Sequence, residues 1–227
     1  MVSPVSETPF KDLCLDTVDP AGAAAFWAPS LGLRAEPRDG GEFKLVDGTD
    51  EHTVWINVVP EPRTVKQRVH LDVRVAEVSE VTTRGATVLD DTTPWTVLAD
   101  PEGGELCAFV KPPAELATYR LYELVVDAVE PDVIARWWGA RLGVEVLDEQ
   151  GQGVSWLEPA DRLPWEIVFQ HVPEPKTVKN RIHLDLWGDV ETLVAAGARV
   201  LRARDSEIGW DVLADPEGNE FCVFARP

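Results

Sequence analysis

Two histidines of this chain sit in the same short setting, Arg-x-His-x-Asp. One copy is Arg181, His183 and Asp185; the other is Arg68, His70 and Asp72. On a strand, alternation puts each trio on one face, together with Trp187 in the later copy and Arg74 in the earlier one. An imidazole beside a carboxylate can act as a general base toward an acidic carbon. The same pair can give two legs of a site for iron, zinc or manganese. The plain alternative is an Arg–Asp ion pair on each strand, with the histidine satisfied by its neighbours. His183, Asp185, His70 and Asp72 are therefore the candidate catalytic residues, weighed against a structural role.

These trios close a longer repeat. Val59–Asp72 and Val172–Asp185 are identical at eleven of fourteen positions, and the other three exchange Arg/Lys, Gln/Asn and Val/Ile. A repeat this clear means internal duplication. The chain of 227 residues then divides into units at 10–112 and 118–227, joined by Lys111-Pro112-Pro113-Ala114. Each unit reads as strand, helix and three strands, twice over. Asp19-Pro20 is the signature of a helix start, and Gly32 and Gly143 of helix stops. Trp95–Gly103 matches Trp210–Gly218, both carrying the turn Asp-Pro-Glu-Gly.

The formal net charge of −19 is a poor match for a polyanion, whose binding relies on clustered Lys and Arg. Nucleic acid and anionic membrane are thus set aside as partners. No apolar run approaches the ~20 residues of a membrane span. The stretch from Met1 has neither the basic start nor the apolar core of a signal peptide. Three scattered cysteines, Cys14, Cys107 and Cys222, imply no disulfide framework. A cytoplasmic monomer or homodimer is the expectation. Nine tryptophans point to two cores, to an aromatic-lined pocket, or to both.

Four βαβββ modules, with the His-Leu-Asp stretches and the ending Asp-Pro-Glu-Gly-Asn-Glu-Phe-Cys, resemble the vicinal oxygen chelate superfamily. The likeness is to its glyoxalase-like and bleomycin-resistance-like branch. It implies an α+β fold of two tandem glyoxalase-like domains, each with two modules forming a cupped eight-stranded mixed sheet around a small-molecule ligand. In metal-using relatives, ligands lie on the first and last strands of modules. Here His183 and His70 match the histidine position, and Cys222 and Cys107 stand where a carboxylate is usual. Glu220 and Glu105 lie two residues earlier, and Gln170 and Asn57 are weak donors on the fourth strands. That set implies no metal, although a divalent ion as cofactor stays open. Trp187, Trp165 and Trp210, with Gln170, Cys222 and Glu220, are the expected ligand-binding residues of a C-terminal cup. Two functions remain: sequestration of an aromatic or drug-like molecule, or a lyase, isomerase or dioxygenase working through His183 and Asp185.

Overall fold

The computed structural model describes residues 8–149, 151–160 and 163–226. The N-terminal stretch 1–7, on which the expectation of a missing leader rests, lies outside them. Four modules follow one another. The first holds β1 (Phe10–Thr17), α1 (Pro20–Leu31), β2 (Arg34–Pro37), β3 (Phe43–Val46) and β4 (Val54–Val58). The second holds β5 (Val69–Val75), α2 (Ser79–Thr82), β6 (Thr87–Asp90), β7 (Thr96–Ala99) and β8 (Glu105–Val110). The third holds β9 (Leu121–Ala128), α3 (Pro131–Leu142), β10 (Val146–Glu149), β11 (Val154–Leu157) and β12 (Glu166–His171). The fourth holds β13 (Ile182–Trp187), α4 (Val190–Ala195), β14 (Arg199–Arg202), β15 (Asp211–Ala214) and β16 (Glu220–Phe224).

Local chemistry sets these boundaries. Asp19 caps α1 by accepting from the Gly22 amide at 3.0 Å, and Pro20 occupies the first turn, where its missing N–H costs nothing. Gly32 ends the helix at φ 71°. A side chain there would be strained, and its Cβ would stand 1.8 Å from the Thr118 carbonyl oxygen. The opening strands β1, β5, β9 and β13 are buried over most of their length. Their two faces differ in chemistry. Leu13 and Leu15 of β1 enter the apolar core, while Asp12, Cys14 and Asp16 alternate to the opposite face.

The strands form two eight-stranded mixed sheets. The first runs β14-β15-β16-β13-β1-β4-β3-β2, and the second β10-β11-β12-β9-β5-β8-β7-β6. Each sheet is two modules joined antiparallel through their opening strands, β1 to β13 and β5 to β9. The sequence repeat suggested that consecutive modules share a sheet. Instead the first module pairs with the fourth and the second with the third, so every sheet takes one module from each half.

Contacts between the sheets accompany this exchange. Glu102, in the turn before β8, accepts from the Val18 amide at the entry to α1. Glu217, in the matching turn before β16, accepts from the Val129 and Glu130 amides at the entry to α3, at 2.9 and 2.8 Å. Each acid thus serves the positive end of a helix belonging to the other sheet. Trp138 of α3 donates to Asp215 at 3.0 Å and lies edge-on to Phe221 of β16. A single apolar cluster consequently runs through both halves, including Leu45, Leu71, Phe169 and Phe221. No helix among the described residues is long and apolar enough to cross a membrane.

Candidate functional site

The polar face of the first sheet encloses a cavity of about 580 Å³. Its floor is made by the opening strands. Cys14 stands directly opposite His183 across the β1–β13 pair, and Asp185 pairs with Cys222 on β16. Trp55, Trp210 and Phe224 form aromatic walls, and Asp16, Glu220, Lys11 and Lys179 supply polar groups at the edge. Trp210 and Phe224 stack with centroids 5.4 Å apart.

Three carboxylates at or beside the edge of the cavity are held by neighbours. Asp12 accepts from the Trp55 indole at 3.1 Å and pairs with Lys11. Asp16 accepts from Asn57 at 3.2 Å and pairs with Lys179. Glu220 accepts from Lys176 at 2.7 Å and from the Asn180 amide at 3.0 Å. These bonds fix the strand edges and the connector before β13 around the opening.

The centre is different. Cys14, His183 and Asp185 each bring a donor atom within 4.8 Å of the other two. The His183 Nε2 to Asp185 Oδ1 distance is 3.8 Å, too long for a hydrogen bond, and His183 Nδ1 is buried without a partner. Burial raises the Cys14 and Cys222 thiols well above their ordinary range, and the nearby Asp185 charge adds to the push. Burial likewise raises the Asp185 carboxyl, against the opposing influence of His183. Both cysteines are therefore protonated thiols rather than nucleophiles at neutral pH.

One thiol, one imidazole and one carboxylate are a donor set that suits zinc or iron, with the thiol losing its proton on coordination. The buried Asp185 Oδ1, which faces His183 Nε2 without a hydrogen-bond partner, agrees with that fit. The second sheet carries a variant of the same cluster: His70, Asp72 and Cys107 converge within 4.8 Å. His70 Nε2 lies 3.3 Å from Asp72 Oδ1 and 3.9 Å from Cys107 Sγ. Burial moves His70 down to about 4 and Asp72 well up, so both shift toward the neutral form. Val125 faces His70 where Cys14 faces His183.

Among the residues singled out from sequence, His183, Asp185, Trp210, Cys222 and Glu220 all line the one cavity. Trp187 does not. It packs edge-on to Phe224 and beneath the Lys11 ammonium, 5.3 Å from the ring centroid. Gln170 and Trp165 belong to the other sheet, because β12 pairs with β9. Gln170 donates to Asp127 at 2.8 Å, and Trp165 is a fully buried core residue edge-on to Phe10. The C-terminal cup expected from the repeat is thus replaced by one shared between the ends of the chain.

The proposed metal donors regroup for the same reason. His183 converges with Cys14 and Asp185 rather than with Gln170 and Cys222. His70 meets Asp72 and Cys107, while Asn57 lies in the first sheet. The Arg–Asp pairs of the plain reading do not form among the described residues. Arg181 donates to the Glu61 carbonyl, and Arg68 comes nearest to Asp127, at 3.9 Å. Sequence reasoning missed Cys14, Asp16, Trp55 and Lys179. The alternation Asp12, Cys14, Asp16 on β1 was the available signal.

A family model described as "Glyoxalase-like domain" matches residues 12–109 and again 123–224. No curated protein matches the chain. Among solved structures, glyoxalase I from Zea mays is similar with a TM-score of 0.67 at 12% identity, over 95% of this chain and 92% of that one. A putative dioxygenase from Bacillus subtilis gives a TM-score of 0.65 at 14% identity, over 98% of this chain and 87% of that one. At such identities the likeness concerns the fold.

Proposed function

The chain belongs to the glyoxalase-like domain family, within the vicinal oxygen chelate superfamily, and from that premise we propose that it binds a small organic molecule with aromatic surface. The ligand occupies the cavity of the first sheet and is held there unchanged. The observation that carries this reading is the lining itself: two indoles and a phenyl ring around about 580 Å³, with polar groups at the edge. Ligand pockets commonly combine such a volume with a few placed polar groups on mostly apolar walls. The thiols are protonated, and Asp16 and Glu220 are already engaged by Lys and Asn groups, so any acid–base chemistry in the cavity would rest on His183 and Asp185.

A second reading is favoured by the convergence of Cys14, His183 and Asp185. These three would hold a divalent metal, which would act as a Lewis acid toward a substrate oxygen. Trp55 and Trp210 would then orient the substrate, and the apolar surround would exclude water. The experiment is incubation of the purified chain with a panel of aromatic compounds, followed by separation of bound from free and analysis of both by mass spectrometry. Sequestration predicts a bound compound of unaltered mass in stoichiometric amount. Altered mass, accumulating beyond one equivalent, favours the enzyme.

A further inference from the structure

A second cavity, of about 320 Å³, lies where the two copies of the repeated connector meet. Its lining includes Arg63, Lys66, Arg68, Lys179 and Arg181, with Glu61 as the acid. In a chain with 21 basic and 40 acidic side chains, five cations around one small space run against the general charge. Lys66 and Lys179 turn toward Asp127 and Asp16, which offset them. The guanidinium groups of Arg63 and Arg181 bond to backbone carbonyls instead. Arg63 donates to Glu102 and Val65 at 3.3 and 3.1 Å, and Arg181 donates to Glu61. Carbonyl acceptors carry no net charge, so these two positive charges persist. Arg68 Nη1 lies 3.9 Å from Asp127, while its Nε is buried with no hydrogen-bond partner.

We propose that this cavity is a binding site for a compact oxyanion, either free phosphate or the phosphate group of a small molecule. The geometry that supports it is pseudo-symmetric: Arg68 and Arg181 occupy the same position in the two copies, as do Val65 and Val178. Both arginines line the one cavity, each from its own connector. A planar guanidinium with five donors matches the oxygens of a tetrahedral anion. Holding the connectors together uses only one or two donors of Arg63 and Arg181, leaving the rest for a ligand. Pro62, Val65 and Val178 lower the local polarity and strengthen such charge-assisted bonds. Val59 and Lys179 also line the larger cavity, so the anion site borders its opening. The proposal does not depend on what that larger cavity binds.

The test is calorimetric titration of the full chain with inorganic phosphate and, separately, with pyrophosphate, against a chloride background. The expected result is a dissociation constant below about 1 mM for at least one anion, weakened at least ~10-fold in Arg181→Gln and retained in Arg199→Gln on the exposed edge strand. Should Arg181→Gln fail to fold, Arg63→Gln gives the same reading. No binding of either anion would overturn the proposal. So would equal affinity in wild type and the Arg181 or Arg63 variant, or an equal loss in Arg199→Gln.

Discussion

Cys14 and His183 face each other across the antiparallel β1–β13 pair, although they come from opposite ends of the chain. Their meeting follows from the exchange of modules between sheets, and it makes the principal cavity a joint product of the first and fourth modules. Neither half of the chain can form that cavity from its own strands.

Isolated halves should show this dependence. Residues 1–112 alone supply four strands to each sheet and leave the inner edges of β1 and β5 unpaired. The expected outcome is an unfolded or self-associated half, and recovery of native near-ultraviolet dichroism when it is mixed with residues 113–227. A stable, folded monomer of either half would show that folding does not require the pairing of β1 with β13 and of β5 with β9.

The cross-sheet carboxylates should matter for stability beyond their surface position. Glu217→Ala removes the acceptor for two amides at the entry to α3. A loss of about 1–2 kcal/mol is expected from chemical denaturation, in the range of helix-capping substitutions. Glu217→Gln, which keeps an oxygen acceptor but loses the charge, should fall between the two.

Thiol chemistry offers a direct probe of the cavity floor. Cys14, Cys107 and Cys222 are buried, with ionisation pushed up. A disulfide-exchange reagent at pH 7.5 should label the native protein roughly 100-fold more slowly than the protein in guanidinium. Rapid labelling of one equivalent in the native state would show an accessible thiolate that the structure does not contain.

Legibility from sequence divides along a physical line. The modules, the caps at Asp19 and Gly32, and the facing of His183 and Asp185 into a cavity all follow from local periodicity and turn chemistry. Which modules share a sheet does not. The opening strands are so alike that β1 offers an acceptable antiparallel edge to either β5 or β13. The observed pairing comes with distant contacts, such as Glu217 with Val129 and Trp138 with Asp215, that no local pattern announces. Gln170, Trp165 and Asn57 therefore lie with the sheet opposite to the one the repeat implies, and Cys14 meets His183 across a pairing that local pattern does not announce. Trp187 shares the face of His183 on β13 but packs against Lys11 and Phe224, which line the cavity while it does not.

The buried imidazole of the second sheet predicts a pH dependence. His70 titrates near 4 in the folded chain because burial disfavours its charged form, against about 6.5 when unfolded. The unfolded chain binds the proton more readily, so the His70 contribution is fully present above 6.5 and is lost as pH falls through 4. Glu123 acts in the opposite sense. Burial and the Glu166 charge raise it to about 7, so its contribution declines as pH rises from about 4.5 to 7. The stability difference between wild type and His70→Gln isolates the first effect. It should shrink on acidification by up to roughly 3 kcal/mol. A difference independent of pH would mean that His70 is not desolvated.

Ligand affinity in tryptophan variants tests the central claim most directly. For any aromatic compound that quenches the intrinsic fluorescence, Trp55→Ala in the first module and Trp210→Ala in the fourth should each weaken binding at least ~10-fold, or about 1.4 kcal/mol. Trp95→Ala, at the matching position of the second sheet, should leave the affinity within about twofold. Loss of binding in Trp95→Ala, with Trp55→Ala and Trp210→Ala unaffected, would place the ligand on the other sheet and contradict the account.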